Sequence, residues 1–168
     1  MGQCAGLGNQ QESSRDDLVW LGGIWDGEGC FSLVFNQRTE TATSMVRLTN
    51  TSDVLIAEAT RILRGYEMPF HLQRRGPSIG GSKEVWHLSV NGAKRCRRIL
   101  PLLMPYLRVK KPEAQLVWRW VQSRLSKAAG APYTTQEIDW FVELRMLHGY
   151  RLQRSSETIR QALAKARG

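Results

Sequence analysis

Apolar residues near the start of the chain recur at helical spacing. Ser14 and Asp17 suit the start of a helix, because a hydroxyl caps the first turn and an acid favours the positive end of the helix dipole. The apolar face that follows consists of Leu18, Leu21, Gly22 and Trp25. We therefore predict a flexible tail over residues 1–13 and a single domain over residues 14–168 that opens with a helix ending near Asp26.

Strict alternation of apolar and polar residues then predicts two pairs of antiparallel strands. The strands are residues 31–36, 45–49, 70–75 and 86–90. Helical spacing returns between the pairs and after them, at residues 52–65, 93–104, 111–127, 135–147 and 156–166. This order predicts an α+β fold, an αββαββα unit with further C-terminal helices, in which helices cover one face of a four-stranded antiparallel sheet.

The other face of the sheet is predicted to be polar and open. Its residues carry groups that hydrogen-bond base edges or phosphates, so the surface suits a nucleic-acid groove. They are Ser32, Asn36, Arg38, Arg47, His71, Gln73, Arg75 and His87, and Val34 of the same strand face is assigned with them.

Composition narrows the class of partner. The 168 residues are enough for one domain with its own core, and 24 Lys and Arg against 15 Asp and Glu give a net charge of +9. The positive excess lies after Glu84, and no acid interrupts the basic residues between Val85 and Pro112. The bias favours a polyanionic partner, although a lone basic cluster is more typical of a solvated helix face.

Cysteine spacing and hydropathy exclude several classes of protein. The three cysteines form no CxxC pair and show no metal-ligand spacing, which argues against disulfides and structural zinc. No apolar run approaches the roughly 20 residues of a membrane span, and the start lacks a secretory apolar segment. We expect a soluble intracellular protein, in a prokaryotic cytoplasm or an organelle, without a membrane partner.

The segment LGGIWDGEG, residues 21–29, places two consecutive glycines inside a predicted helix, where each costs about 1 kcal/mol relative to alanine. One side of this helix is nearly bare backbone, which another helix can approach closely, in a second subunit or in the same chain. LGGIWDGEGCF resembles the LAGLIDADG signature of homing endonucleases, with Gly23, Asp26, Glu28 and Gly29 at matching positions. The resemblance extends over about residues 14–164 and implies that family's saddle-shaped sheet.

The resemblance implies a metal site and three catalytic residues. Glu28 matches the acid that binds metal in the family, and Gly27 matches a residue that contributes its backbone carbonyl. RLTNTSD places Asn50 where the family has an amide that orders water, and LMPYLRVKKPEAQLV places Lys110 where it has an active-site lysine. The implied cofactor is a divalent metal, Mg²⁺ foremost, with Mn²⁺ or Ca²⁺ as other ions that the site accepts.

The resemblance also implies a homodimer, since single-motif members pair their motif helices across a twofold axis and this chain has room for one unit. The interface residues are Leu18, Leu21, Gly22, Gly23 and Trp25. RSSETIRQAL resembles a helix start near the DNA backbone, with Arg151 and Arg154 as phosphate contacts. The implied function is cleavage of both strands of a long, nearly palindromic double-stranded DNA site in support of intron homing, with an archaeal ribosomal RNA intron as one origin.

Two residues depart from the family pattern, which has Asp where Glu28 stands and often Gln where Asn50 stands. Asp26 is assigned a structural role, because a helix-end carboxylate often binds nearby backbone groups. Lys110 without its matching segment would be interpreted as an ordinary exposed lysine. The alternatives are an RNA-binding intron maturase without cleavage activity, which would add RNA as a partner, and a noncatalytic DNA-binding regulator.

Overall fold

A computed structural model describes residues 6–36, 38–39, 41–76, 84–149 and 161, with side chains from residue 14 onward. The helices are α1 (Gly6–Glu28), α2 (Asp53–Gly65), α3 (Ala93–Leu103), α4 (Lys111–Leu125) and α5 (Thr135–Leu147), with a 3₁₀ turn at Met104–Tyr106. The strands are β1 (Gly29–Asn36), β2 (Thr41–Asn50), β3 (His71–Arg75) and β4 (Val85–Asn91). The predicted α+β class and order of elements are confirmed within these residues.

The four strands form one antiparallel sheet in the order β1-β2-β4-β3. Gly29 pairs with Leu48, Leu48 with Leu88, and Leu88 with Leu72, so this row crosses the whole sheet. Because successive residues of a strand point to opposite faces, the row fixes which side each strand buries. The alternation seen in the sequence therefore assigned the buried face correctly.

The core lies between this buried face and the helices. Phe31, Val46 and Leu88 are fully buried on the sheet side. They meet α1, α3 and α4, and α3 buries a stripe made of Cys96, Ile99, Leu100 and Leu103. Each large apolar side chain that is buried this way contributes about 1.5–3 kcal/mol. No helix of the described residues is long and apolar enough to cross a bilayer.

Helix α1 begins at Gly6, earlier than the predicted start near Ser14. Ser14 therefore lies inside the helix and does not cap it; its hydroxyl instead contacts the hydroxyl of Tyr66, which donates to the Ser14 carbonyl at 2.8 Å. The division into a tail, residues 1–13, and a domain, residues 14–168, stays a prediction. Of the predicted helix at 156–166 only Gln161 is described, as helical and exposed, and Arg151 and Arg154 lie outside the described residues.

Gly22 marks the closest approach of α1 to the rest of its own chain. A Cβ at this position would lie 2.4 Å from the Cβ of Tyr106 in the 3₁₀ turn. Leu21 and Trp25 are also buried in the chain's own core, with 1% and 0% of their surface exposed. Leu21, Gly22 and Trp25 therefore do not form the subunit interface that the sequence suggested, because they are already packed within one chain.

We predict that Gly22→Ala lowers the free energy of unfolding by about 1–3 kcal/mol, because the added methyl group overpacks the contact with Tyr106. Gly65→Ala is the matched control, since a Cβ at Gly65 meets nothing within 4 Å. That change should leave the stability unaltered or raise it by up to about 1 kcal/mol. Urea unfolding of both variants checks the prediction, and equal effects would contradict it.

Candidate functional site

The chain passes from α1 into β1 without a loop, so that Glu28 ends the helix and Gly29 begins the strand. This junction requires glycine, because a Cβ at Gly29 would lie 2.4 Å from Cδ1 of Trp25 and 2.5 Å from its carbonyl oxygen. Gly29 is buried, whereas Glu28 is exposed. The junction therefore presents the carboxylate of Glu28 to solvent at one end of an edge strand.

Lys110 lies against this junction although it is far away in the sequence. Its ammonium donates hydrogen bonds to the carbonyl oxygens of Gly27 at 2.7 Å and Gly29 at 2.6 Å. These residues precede and follow Glu28, so the Lys110 side chain binds the backbone on both sides of the exposed acid. The structure thus brings together three of the residues that the sequence assigned to the site, Gly27, Glu28 and Lys110.

Asp26 binds the segment that precedes α4. Its carboxylate accepts hydrogen bonds from the backbone N–H groups of Arg108 at 3.0 Å, Val109 at 3.0 Å to both oxygens, and Lys110 at 2.7 Å. Burial raises the pKa of Asp26, but these hydrogen bonds and the charge of Lys110 lower it, and the pKa lies below its ordinary value. Asp26 binds backbone groups as predicted, but these lie 82 and more residues away.

Asn50 ends β2 at the same end of the sheet as Glu28, because Leu48 pairs with Gly29. Its side-chain oxygen accepts a hydrogen bond from the backbone N–H of Ser52 at 2.8 Å, and Ser52 in turn caps α2. The oxygen of Asn50 therefore shapes the turn into the helix. Its amide nitrogen has no partner within the described part of the chain.

The nine residues predicted for the open face all lie in the described part of the chain. Arg38 is in the turn between β1 and β2, and the other eight lie on the strand face opposite the core. The list from the sequence left out further residues of this face, which are Cys30, Thr41, Thr43, Met45, Thr49, Val85, Ser89 and Asn91. Met45, Thr49 and Ser89 lie inside the predicted strands on the same side of the alternation, and continuing the alternation to the strand ends would have found the others.

Three buried polar atoms on the open face have no hydrogen-bond partner among the described residues. They are Ser32 Oγ, Arg47 Nε and Asn91 Oδ1. Ser32 and Asn91 both pair with Met45, and Arg47 lies in the adjacent row of the sheet. A buried polar group without a partner costs about 1–3 kcal/mol, and the same holds for Trp25 Nε1 in the core, so these atoms do not by themselves mark a ligand site.

The charges on the open face are positive or neutral. None of the four described strands places Asp or Glu on this face, whereas Arg47 and Arg75 both lie on it. His87, whose Nδ1 lies 3.1 Å from Thr49 Oγ1, has a pKa below its ordinary value because of burial and then the charges of Arg47 and Arg75. The face therefore offers polar contacts to an anionic ligand.

The basic cluster between Val85 and Pro112 divides between two sides of the molecule. Lys94, Arg95, Arg97 and Arg98 lie on the exposed side of α3, which packs over the core face of the sheet. Lys110 lies instead at the end of α1. The four residues of α3 therefore form a solvated helix face, which is the interpretation that a lone basic cluster favours. They do not add positive charge to the open face of the sheet.

The described residues of one chain provide only part of a metal site. No group of three His, Cys, Asp or Glu side chains suited to a metal occurs among the residues that the structure describes. Glu28 and the carbonyl of Gly27 are adjacent oxygen donors, which are the ligands that Mg²⁺ and Ca²⁺ prefer. The donor types fit such an ion, and the remaining ligands would come from outside the described residues of one chain.

A stripe with little side-chain bulk, here called the open stripe, lies on the solvent side of α1 and ends next to Glu28. It consists of Val19, Gly23 and Gly27, spaced four residues apart, with Trp20 and Ile24 half-buried beside it. Val19 is 48% exposed, and a Cβ at Gly23 or Gly27 would meet nothing within 4 Å. The helix therefore has two glycine faces, one packed on its own chain at Gly22 and one open.

The sequence profile of the LAGLIDADG-like domain matches residues 16–103. A comparison with curated proteins finds no match. Among solved structures, the archaeal intron-encoded homing endonuclease I-Vdi141I complexed with DNA is 11% identical, with 93% of this chain and 98% of that chain covered and a TM-score of 0.67. The homing endonuclease I-CvuI, in complex with the I-CreI target, is 16% identical, with 92% and 96% covered and a TM-score of 0.61.

The LAGLIDADG homing endonuclease I-SmaMI bound to cleaved DNA is 15% identical, with a TM-score of 0.63. The match covers 89% of this chain but only 48% of that one. These likenesses show that the chains share one fold. The chain corresponds to nearly the full length of the first two proteins and to about half of the third.

We predict that Arg47→Met raises the pKa of His87, because it removes a positive charge that disfavours the imidazolium. Proton NMR titration of His87 measures the change, and Arg64→Met on α2 is the matched control. The folded pKa of His87 is depressed, so the folded state binds fewer protons than the unfolded state. Stability is therefore lost as the pH falls below about 6.5, and this loss should be smaller in Arg47→Met. Identical titrations in both variants would contradict the assignment.

Proposed function

The chain belongs to the LAGLIDADG-like domain family, and on that premise we propose that it is a homodimeric, metal-dependent DNA endonuclease. The substrate is a long, nearly palindromic duplex, both strands of which are hydrolysed. The observation that carries the proposal is the convergence of Glu28, the Gly27 carbonyl and the Lys110 ammonium where α1 meets the open sheet. Such cleavage would serve intron homing, the role named for the archaeal neighbour.

The open face of the sheet supports a DNA partner. It carries arginines and polar groups without an acid on its described strands, and the major groove, which admits a β-ribbon, presents base edges that such groups would hydrogen-bond. The solved structures with the same fold include several DNA complexes.

The open stripe of α1 supports a homodimer. Val19, Gly23 and Gly27 leave space for a second helix at backbone distance, and Trp20 and Ile24 provide apolar surface at its edge. Two copies of α1 that pack here bring two Glu28 carboxylates side by side, because each stripe ends at that residue. The proposed interface keeps Gly23 from the set that the sequence suggested and leaves out Leu21, Gly22 and Trp25, which are buried within one chain.

Glu28 of each protomer would hold the divalent ion, most simply Mg²⁺, with the Gly27 carbonyl as a neighbouring donor through the lone pair that Lys110 leaves open. When bound, such an ion polarises the phosphate and activates water. Lys110 offsets the negative charge that develops on the phosphate. Two of the three N–H donors of its ammonium bind the carbonyls of Gly27 and Gly29, which leaves the third for a phosphate oxygen. The amide nitrogen of Asn50 orients water without removing its proton.

We predict that Glu28→Gln lowers the cleavage rate by at least about 100-fold while affinity for the duplex is retained, since the charge that holds the metal is lost. Incubation of the wild type with a randomised duplex library and Mg²⁺, followed by sequencing of the ends, first identifies the substrate. Glu143→Gln, at an exposed acid on α5, is the matched control. Cleavage by Glu28→Gln at the wild-type rate would refute the assignment. A wild type that binds RNA but cuts no duplex would favour the maturase.

We predict that Gly23→Leu converts a dimer into a monomer without unfolding the chain, because the added side chain occupies the gap that a second α1 would need. Sedimentation equilibrium measures the mass, and circular dichroism confirms the fold. Gly65→Leu, at another uncrowded glycine, should remain dimeric. A wild type that sediments as a monomer both free and with its duplex would contradict the proposed assembly.

A further inference from the structure

We propose that Asp26 is a positioning residue for DNA cleavage, which acts by holding Lys110 against the two neighbours of Glu28. The inference rests on the proposed function, because Lys110 serves a reaction only if the chain cleaves DNA. It goes beyond the structural role that the sequence suggests for a helix-end acid. The assignment follows from three features of the contact between the end of α1 and the start of α4.

The first feature is that one carboxylate binds three consecutive backbone N–H groups. Arg108, Val109 and Lys110 all donate to Asp26, and both carboxylate oxygens accept. Successive N–H groups that point the same way form an anion-binding concavity. Helix α4 begins at Lys111 and has no side-chain cap of its own at Lys110. Asp26 therefore caps α4 from another helix.

The second feature is that the contact is reciprocal. The backbone of Lys110 is bound by Asp26, while its side chain turns back to the carbonyls of Gly27 and Gly29. An acid of α1 thus caps the start of α4, and a lysine at the start of α4 binds the end of α1. Lys110 is held at both ends, which fixes its ammonium beside Glu28.

The third feature is that nothing else holds this segment by its N–H groups within the described residues. Leu107 is buried and anchors the chain before the segment, and α4 anchors it afterwards. Between them Arg108 and Val109 are exposed, and Val109 has 75% of its surface accessible. Loss of Asp26 would therefore free the backbone that carries Lys110 while the core on either side remains intact.

The test is a double-mutant cycle on a duplex recovered by the library selection. Asp26→Asn keeps the size of the side chain but replaces one acceptor oxygen with a donor. We expect it to lower kcat by about 10- to 100-fold, in the range found for residues that support a catalytic group, with the Kd for the duplex unchanged. In a Lys110→Met background the same change should lower kcat by less than about 3-fold, because coupled residues are not additive.

Asp17→Asn is the matched control, since Asp17 is an acid of the same helix that pairs with Arg61. It should leave kcat unchanged in both backgrounds. An equal loss of kcat from Asp26→Asn with and without Lys110 overturns the proposal, because Asp26 would then act independently of the lysine. Should Asp26→Asn not fold, the cycle is run with Asp26→Glu, which keeps the charge and shifts the carboxylate by one methylene.

Amide hydrogen exchange on the free protein separates this inference from the proposed function. Asp26→Asn should speed exchange at the N–H groups of residues 108–110 and leave it unchanged in the middle of α4. A wild type that cuts no duplex would refute the proposed function and with it the catalytic part of this inference. Unchanged exchange at residues 108–110 would overturn the contact on which the inference is built.

Discussion

The carboxylate of Asp26, bound by three backbone N–H groups, ties the end of α1 to the start of α4 and determines the geometry of the site. A charged hydrogen bond of this kind contributes more than a neutral one, and several share one acceptor here. Because α1 runs directly into β1, fixing its last turn also fixes the first residue of the sheet. Glu28 and Lys110 occupy their places as a consequence.

The two faces of the sheet differ in polarity and in what covers them. One face is closed by apolar side chains and the five helices, and it provides most of the hydrophobic stabilisation. The other face is polar: its described strands carry Arg47 and Arg75 and no acid, so it is the face that suits an anionic ligand.

Helix α1 carries glycines on two faces, of which one packs within the chain and the other is open. Gly22 allows the 3₁₀ turn to approach at a distance that no side chain would permit, while Gly23 and Gly27 leave the opposite side free. Glycines in a helix lower its intrinsic stability, and the core contacts of Leu21 and Trp25 offset that cost. The free side is the part of the helix that remains for a partner.

The sequence alone determined the order of helices and strands, the face of the sheet that is buried, and the segment that carries Glu28, because periodicity and short motifs are local properties of a chain. It did not determine which glycine face of α1 packs inward, since Gly22 and Gly23 are adjacent and spacing treats them alike. Tertiary structure decided three further contacts. They are the hydrogen bonds that Asp26 accepts from residues 108–110, the hydrogen bonds from Lys110 to the neighbours of Glu28, and the turn that Asn50 stabilises. Such contacts join residues that are far apart along the chain, and only the packing of α1 against the 3₁₀ turn and α4 brings them within hydrogen-bonding distance.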